Sequence, residues 1–268
     1  LFYIIVYKAF FALTLFFYMV GCVNNQSINQ RSEIVQAIVS EVDLKPERIA
    51  AGDFLLMTYH RGLAIADKKL MVYVEGDGYA WRTKNQLSKN PTPKHPQALK
   101  LAAKDSADSI LYIARPCMYL QEELLQDCSD KFWSSHRYSE EVISSINQVI
   151  DWATAMSSTN KLTLIGYSGG GTIAALIAAR RNDVSSFITI ASNLDHKFWT
   201  EFHGISPMVG SLDPLEYAKE LSNIKQIHFV GAKDKIVPET IIQHYLLKMP
   251  SNDKIVVKVI KGFDHSCC

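Results

Sequence analysis

The sequence LTLIGYSGGGTIAALIAAR occupies residues 162–180. Residues 162–165 have the length and apolar composition of a buried strand, and residues 172–180 have the composition of a buried helix. Between them the pattern G-x-S-x-G surrounds Ser168, which allows a sharp turn from strand to helix and leaves the serine hydroxyl exposed. We therefore predict that Ser168 is a nucleophile. The alternative is a glycine-rich turn whose serine has no catalytic role.

Strand and helix patterns alternate along the chain. Short β-rich runs predict strands at 54–59, 70–74, 109–114, 162–165, 187–191, 226–230 and 255–260. Amphipathic stretches predict helices near 97–103, 140–155, 172–180, 214–221 and 239–247, with a further helix at the start of the domain, around 34–42. This alternation predicts the α/β class, with a mostly parallel central sheet and helices on both faces.

A serine hydroxyl becomes a strong nucleophile only when a base removes its proton, so a histidine is expected within hydrogen-bond reach of Ser168. The chain has 8 histidines, of which only His265 follows directly on the last predicted strand. His228 falls inside a predicted strand, where a core or surface histidine is the better interpretation. We therefore predict that His265 is the general base.

The base needs an acidic partner that orients its imidazole and stabilises the charged form. Asp234 lies just after the predicted strand 226–230 and completes the chain order Ser, Asp, His. Asp195, which follows the predicted strand 187–191, is the rival candidate. Asp264 is adjacent to His265 and is expected to point elsewhere.

With these motifs in order, the chain from about residue 44 to residue 265 resembles the α/β-hydrolase superfamily, most closely the small bacterial esterases and dienelactone-hydrolase relatives. The resemblance implies the α/β-hydrolase fold and acyl transfer by Ser168, Asp234 and His265, with no metal and no organic cofactor. It does not identify the substrate, because one triad serves esters, amides and thioesters alike.

Acyl transfer also needs N–H donors for the oxyanion of the tetrahedral intermediate. The amide of Gly169 is one candidate, and the amide of Asp77, in the loop after strand 70–74, is the other. This loop occupies the position of the lipase HGGG loop but departs from it at Glu75 and Asp77. A carboxylate beside an oxyanion would repel it unless turned away. The alternative is an ordinary turn.

Five cysteines fit an exported protein with limited disulfide use. We predict a disulfide between Cys117 and Cys128, because both lie in one connecting segment; free thiols are the alternative. The same segment, from Arg115 through Trp133 and His136, leaves a strand at its C-terminal end. It is therefore a candidate wall of the substrate site, and an edge connection is the alternative.

Composition excludes several classes of function. Hydrophobic residues make up 48% and charged residues 21% of the 268, which is typical of a globular chain. The net charge is +1 and no Lys/Arg block stands out, so we expect no nucleic-acid partner. Oligomeric state is left open.

Residues 1–21 are almost wholly apolar, with Lys8 as their one charge, and have the order of regions of an export signal. The run from Met19 to Cys22 resembles a bacterial lipobox, which implies lipidation of Cys22 and attachment to a membrane of the cell envelope. An uncleaved membrane-spanning anchor is the alternative. The predicted organisation is a signal peptide at 1–21, a tether at 22–30 and an α/β-hydrolase domain at 31–268.

These observations predict a membrane-tethered serine hydrolase that acts on a small-molecule carboxylic ester through an acyl-enzyme. A serine peptidase would use the same residues and differ only in pocket geometry. A non-catalytic lipoprotein that uses the fold as a binding scaffold is the third alternative, and the intact set Ser168, Asp234 and His265 argues against it.

Overall fold

The computed structural model describes residues 27–65, 68–125, 128–250 and 253–266. Its centre is an eight-stranded sheet in the order β1-β2-β6-β3-β7-β8-β9-β10. The strands of this sheet are β1 (Lys45–Ala51), β2 (Phe54–Arg61), β3 (Leu70–Val74), β6 (Ser109–Ile113), β7 (Leu162–Tyr167), β8 (Val184–Ile190), β9 (Lys225–Gly231) and β10 (Ile255–Ile260). A separate hairpin contains β4 (Trp81–Thr83) and β5 (Gln86–Leu87).

Six of the strands, from β6 to β10 in sheet order, pair in parallel, while β2 pairs antiparallel with both β1 and β6. The carboxyl ends of β3 and β7 lie side by side, with Val74 opposite Gly166. Residues that follow parallel strands therefore meet at one edge of the sheet. The predicted fold class is confirmed.

Helices cover both faces of the sheet. They are α1 (Ile28–Ser40), α2 (Gln97–Lys104), α3 (Glu122–Leu125), α4 (Glu140–Ser157), α5 (Gly169–Ala178), α6 (His196–His203), α7 (Ala218–Leu221) and α8 (Glu239–Lys248), with 3₁₀ turns at Asp130–Trp133 and Pro214–Tyr217. Side chains alternate along each strand, so Val72 packs in the core beneath α4 and α5 while Tyr73 packs in the core beneath α1 and α2. Two apolar layers therefore hold the sheet between them.

Several local elements of the structure were not predicted, among them α3, β4 and β5. The edge strand β1 was not predicted, because its sequence carries three charged residues and a proline and most of it is exposed. Helix α6 was also not predicted. Helix α1 begins at Ile28, earlier than the helix predicted around 34–42, behind a capping box in which Ser27 and Gln30 exchange side-chain-to-backbone hydrogen bonds.

Candidate active site

Ser168 lies at a sharp turn between β7 and α5, with φ of 49° and ψ of −125°. This backbone conformation is strained for a residue with a side chain, and such strain persists where the surroundings impose it. A Cβ on Gly166 would approach the backbone of Gly170 to 2.3 Å, and one on Gly170 would approach the carbonyl oxygen of Val74 to 2.2 Å. The flanking glycines are therefore required by close packing of α5 against β3 and β7.

The structure brings Ser168, His265 and Asp234 together in one hydrogen-bonded chain. Ser168 Oγ lies 3.0 Å from His265 Nε2, and His265 Nδ1 lies 2.8 Å from Asp234 Oδ2. The Asp234 carboxylate is fully buried, whereas the His265 side chain is 16% exposed. The arrangement has the geometry that acyl transfer needs of a hydroxyl, an imidazole and a buried carboxylate.

The loops that carry the acid and the base are held by further hydrogen bonds. Asp234 Oδ1 accepts from the backbone N–H groups of Ile236 and Val237, each at 2.8 Å. These bonds leave Oδ2 directed at the imidazole. The Tyr167 hydroxyl donates to the backbone carbonyl of His265 at 2.5 Å, so the residue beside the nucleophile also positions the base.

Asp195, the rival acid, lies elsewhere. Its Oδ1 accepts from the Phe198 N–H at the start of α6, and its Oδ2 is 2.6 Å from His244 Nδ1. It is thus a helix cap and an ion-pair partner. His228 is buried between Thr189 and Gln226, where burial lowers its pKa to about 3, as expected for a core histidine.

Both carboxylates of the loop after β3 are held by hydrogen-bond donors. Glu75 is buried and accepts hydrogen bonds from the N–H groups of Gly76 and Ala98 and from the Tyr112 hydroxyl. Ala98 lies in the first turn of α2, so Glu75 caps this helix. Burial raises the pKa of Glu75 in spite of these hydrogen bonds.

Asp77 is bound by two arginines that no sequence motif predicts. Its carboxylate accepts from Arg115 Nη1 at 2.8 Å and from Arg137 Nη1 at 2.7 Å. Burial alone would raise the pKa of Asp77, but the charges of Arg137 and Arg115 and their hydrogen bonds outweigh it and hold the pKa below its usual value. Two guanidinium groups therefore surround a single carboxylate.

The two candidate oxyanion donors come from different elements, Asp77 from the loop after β3 and Gly169 from the start of α5. Gly169 is the first residue of α5, so its N–H has no partner within the helix. Asp77 and Gly169 are in close contact, since a Cβ on Gly169 would come within 2.2 Å of Asp77 Oδ1. The N–H of Gly76 is engaged by Glu75, which leaves the Asp77 amide as the better candidate of the two in this loop.

A cavity of about 410 Å³ opens above Ser168 and His265. Aromatic and apolar side chains form most of its wall, among them Tyr79, Trp81, Tyr138, Trp199, Met208 and Ile236. Arg137 and Lys94 add positive charge. Trp199 and Met208 lie outside every motif, and only the course of the chain after β8 brings them to the cavity.

The segment predicted as a substrate wall, from Arg115 to His136, is not among the residues that line the cavity, whereas Arg137 and Tyr138, which follow it directly, are. Cys117 and Cys128 are joined by a disulfide and pack with Trp133 against Ala80. Trp133 Nε1 also donates to the carbonyl of Ser88 at 3.1 Å. This segment therefore packs against the β4–β5 hairpin and stabilises its position.

In the part of the chain that the structure describes, no three His, Cys, Asp or Glu side chains group as a metal site would require. None of the described helices is long and apolar enough to span a bilayer. Cys22 and the predicted signal peptide lie outside the described residues, as do Cys267 and Cys268.

Comparison with known proteins agrees with this geometry. Residues 96–262 match the model of the family described as serine hydrolase (FSH1), which is more than half of the chain. The fold and this match define an α/β-hydrolase enzyme, and the chain belongs to the serine hydrolase (FSH1) family. A search of curated proteins found no match.

Solved structures show the same fold at low sequence identity. A putative dienelactone hydrolase from Klebsiella pneumoniae is 18% identical, with 83% of this chain and 87% of that chain covered and a TM-score of 0.57. An esterase from Pyrococcus furiosus is 13% identical, with 83% and 82% covered and a TM-score of 0.53. An acylaminoacyl peptidase from Pyrococcus horikoshii is 13% identical; 83% of this chain but only 37% of the peptidase is covered, with a TM-score of 0.56.

Proposed function

We propose that this serine hydrolase cleaves carboxylic esters through an acyl-enzyme intermediate on Ser168. The observation that carries the proposal is the chain of two hydrogen bonds from Ser168 Oγ to His265 Nε2 (3.0 Å) and from His265 Nδ1 to Asp234 Oδ2 (2.8 Å). His265 accepts the serine proton as the oxygen attacks the ester carbonyl, and the buried Asp234 carboxylate stabilises the imidazolium that forms.

The tetrahedral intermediate then carries its negative charge next to the amides of Gly169 and Asp77. Collapse of the intermediate breaks the bond to the alcohol, which takes the proton from His265 and leaves an acyl group on Ser168. Water repeats the sequence, with His265 as base, and releases the carboxylic acid. Removal of one oxyanion donor of this type raises the activation barrier by about 3 to 4 kcal/mol.

Ester substrates are favoured by the surroundings of the nucleophile. The cavity is lined mainly by aromatic and apolar side chains, which suit an uncharged acyl or alcohol group. Two of the structural relatives carry the names esterase and dienelactone hydrolase. The peptidase among the relatives has the same core, so an amide substrate is the competing hypothesis.

A fluorophosphonate probe tests the nucleophile, and a matched panel of p-nitrophenyl esters and p-nitroanilides of the same acids tests the substrate class. We expect the wild-type protein to be labelled and to hydrolyse the esters faster than the anilides. Ser168→Ala should lose labelling and reduce kcat by at least about 10⁴-fold while leaving the melting temperature nearly unchanged. Labelling of Ser168→Ala would contradict the assignment, and faster anilide cleavage would favour the peptidase.

We further propose that the protein is exported and attached to a membrane of the bacterial cell envelope through a lipid on Cys22. The support is the basic residue, apolar run and lipobox-like ending of residues 1–22. A spanning anchor would give membrane attachment without a lipid.

A further inference from the structure

Several large apolar side chains are exposed around the mouth of the cavity. Trp81 and Ile236 both line the cavity and are 42% and 50% exposed. Met208 lines it as well, and its neighbours in the loop after α6, Ile205 and Val209, are 48% and 83% exposed. We call Trp81, Ile205, Val209 and Ile236 the apolar rim. Exposed apolar groups clustered at a site entrance are typical of surfaces that contact a partner or a membrane.

One side of the mouth is strongly basic. Residues 78–104, which contain the β4–β5 hairpin and the Lys94 loop, include six Lys or Arg residues and no Asp or Glu. Arg82 and Lys84 on the hairpin are exposed, and Lys94 lies against the Tyr79 ring with its Nζ 3.9 Å from the ring centre. The apolar rim is therefore flanked by cationic side chains, which suits an anionic surface.

The described chain also begins beside this mouth. Arg31 in the first turns of α1 donates to the carbonyl of Thr92 at 2.8 Å and lies 4.9 Å from the centre of the Tyr79 ring, and Tyr79 lines the cavity. The 26 residues before Ser27 include the apolar stretch 1–21. Between Cys22 and Ser27 the extended chain reaches no more than about 18 Å. Whether residues 1–21 span a membrane or are replaced by a lipid on Cys22, the membrane lies within that reach of α1.

From the exposed rim, the basic flank and the short tether together, we propose that the apolar rim docks on an anionic lipid bilayer, with the cavity mouth facing the membrane. Trp81 and Val209 then sit at the level of the headgroups, where aromatic and apolar side chains are favoured, and Arg82 and Lys84 contact lipid phosphates. The substrate enters from the bilayer. This last step rests on the proposed ester hydrolysis, whereas the docking rests on the proposed membrane attachment and on the exposed rim and basic flank.

Photo-crosslinking tests the docking without any reference to activity. The photoreactive residue p-benzoylphenylalanine is introduced at Val209 of the full chain, which is reconstituted in vesicles of phosphatidylglycerol and phosphatidylcholine. The matched control is the same substitution at Met156, which is 48% exposed in the last turn of α4, close to the start of β7 and thus at the opposite edge of the sheet from Ser168. We expect lipid adducts at position 209, with a yield roughly tenfold above that at position 156. Equal yields, or none at 209, would overturn the proposal.

A kinetic arm separates docking from catalysis. Val209→Asp should lower hydrolysis of an ester embedded in the anionic vesicles by roughly tenfold and leave hydrolysis of a water-soluble ester unchanged, with Met156→Asp as the control that alters neither rate. An equal loss on both esters would mean damage to the fold and would contradict the docking role.

If wild type hydrolyses neither ester yet crosslinks at 209, the proposed function fails and the docking surface stands. If the protein binds the vesicles only through its positive charges, as it would bind any polyanion, it will associate with them but give no adducts at position 209. That result would overturn the proposal.

Discussion

Arg137 Nη1 donates a hydrogen bond of 2.7 Å to Asp77 Oδ2, and through it a side chain 60 positions away holds the loop that carries a candidate oxyanion donor. Arg115 binds the other carboxylate oxygen and also donates to the backbone carbonyl of Arg137. The two arginines therefore orient the Asp77 amide and neutralise a carboxylate that would otherwise oppose the oxyanion.

Arg137→Gln should lower kcat by about ten- to a hundredfold with little change in KM, because Arg115 alone compensates the Asp77 charge less fully and that charge then opposes the transition state more than the bound ester. In an Asp77→Asn background the same change should cost less, and a double-mutant cycle on kcat measures the difference. Arg181→Gln is the matched control: Arg181 binds Asp183 and Asp151 far from Ser168, so stability falls and kcat is retained. Additive losses in the cycle would contradict the neutralising role.

Asp234→Asn should lower kcat by about 10⁴-fold, because an amide cannot stabilise the imidazolium and favours the wrong tautomer of His265. Asp195→Asn should leave kcat close to wild type and lower stability by less than about 1 kcal/mol, because Asn still caps α6 and only the charge that faces His244 and Lys248 is lost. Steady-state kinetics with a soluble ester and urea unfolding of both variants distinguish the roles. The reverse ranking in kcat would move the acid to Asp195.

His228 should make stability depend on pH. Burial lowers its pKa in the folded protein to about 3, against 6.5 for the free side chain, so the unfolded chain binds the extra proton between these values. Its contribution to the free energy of unfolding is complete above about pH 6.5 and declines as the pH falls toward 3. Between pH 7 and pH 4.5 this loss should be on the order of 2 to 3 kcal/mol.

Urea unfolding of His228→Gln at the two pH values tests this expectation. The variant should lose less stability on acidification than wild type, while His95→Gln, at an exposed position, should behave like wild type. An unchanged pH dependence in His228→Gln would assign the acid sensitivity to other groups.

Cys22→Ala should block lipidation and leave residues 1–21 attached, because a lipoprotein signal is cleaved only at a modified cysteine. Intact-mass measurement of membrane-extracted protein checks this outcome: wild type should lose the leader mass and gain acyl mass. Wild-type protein that keeps residues 1–21 and carries no lipid would show that the leader is a spanning anchor. The hydrolase assignment uses none of these residues and would be unaffected.

The turn at Ser168 could be predicted from sequence because its causes are local. An apolar strand, glycines at 166 and 170 and an apolar helix follow one another within 20 residues, and each has a strong intrinsic preference. The candidates Asp234 and His265 could be selected because parallel strands deliver the residues after their carboxyl ends to one edge of the sheet. The edge strand β1 could not be predicted from the sequence, because its charged residues pair with β2 and are largely exposed.

Tertiary structure decides which of the two carboxylates, Asp234 or Asp195, contacts His265. Both follow strands, and only the paths of the loops direct one carboxylate to His265 and the other to the first turn of α6. The same holds for Glu75 and Asp77, whose effect on an oxyanion depends on partners distant in sequence, Ala98 in one case and Arg115 and Arg137 in the other. The sequence determines which segments form turns, which are buried and how strands and helices alternate, because these conformational preferences act over a few residues. The direction of a buried charge is settled by whichever donors the finished packing brings within hydrogen-bond reach.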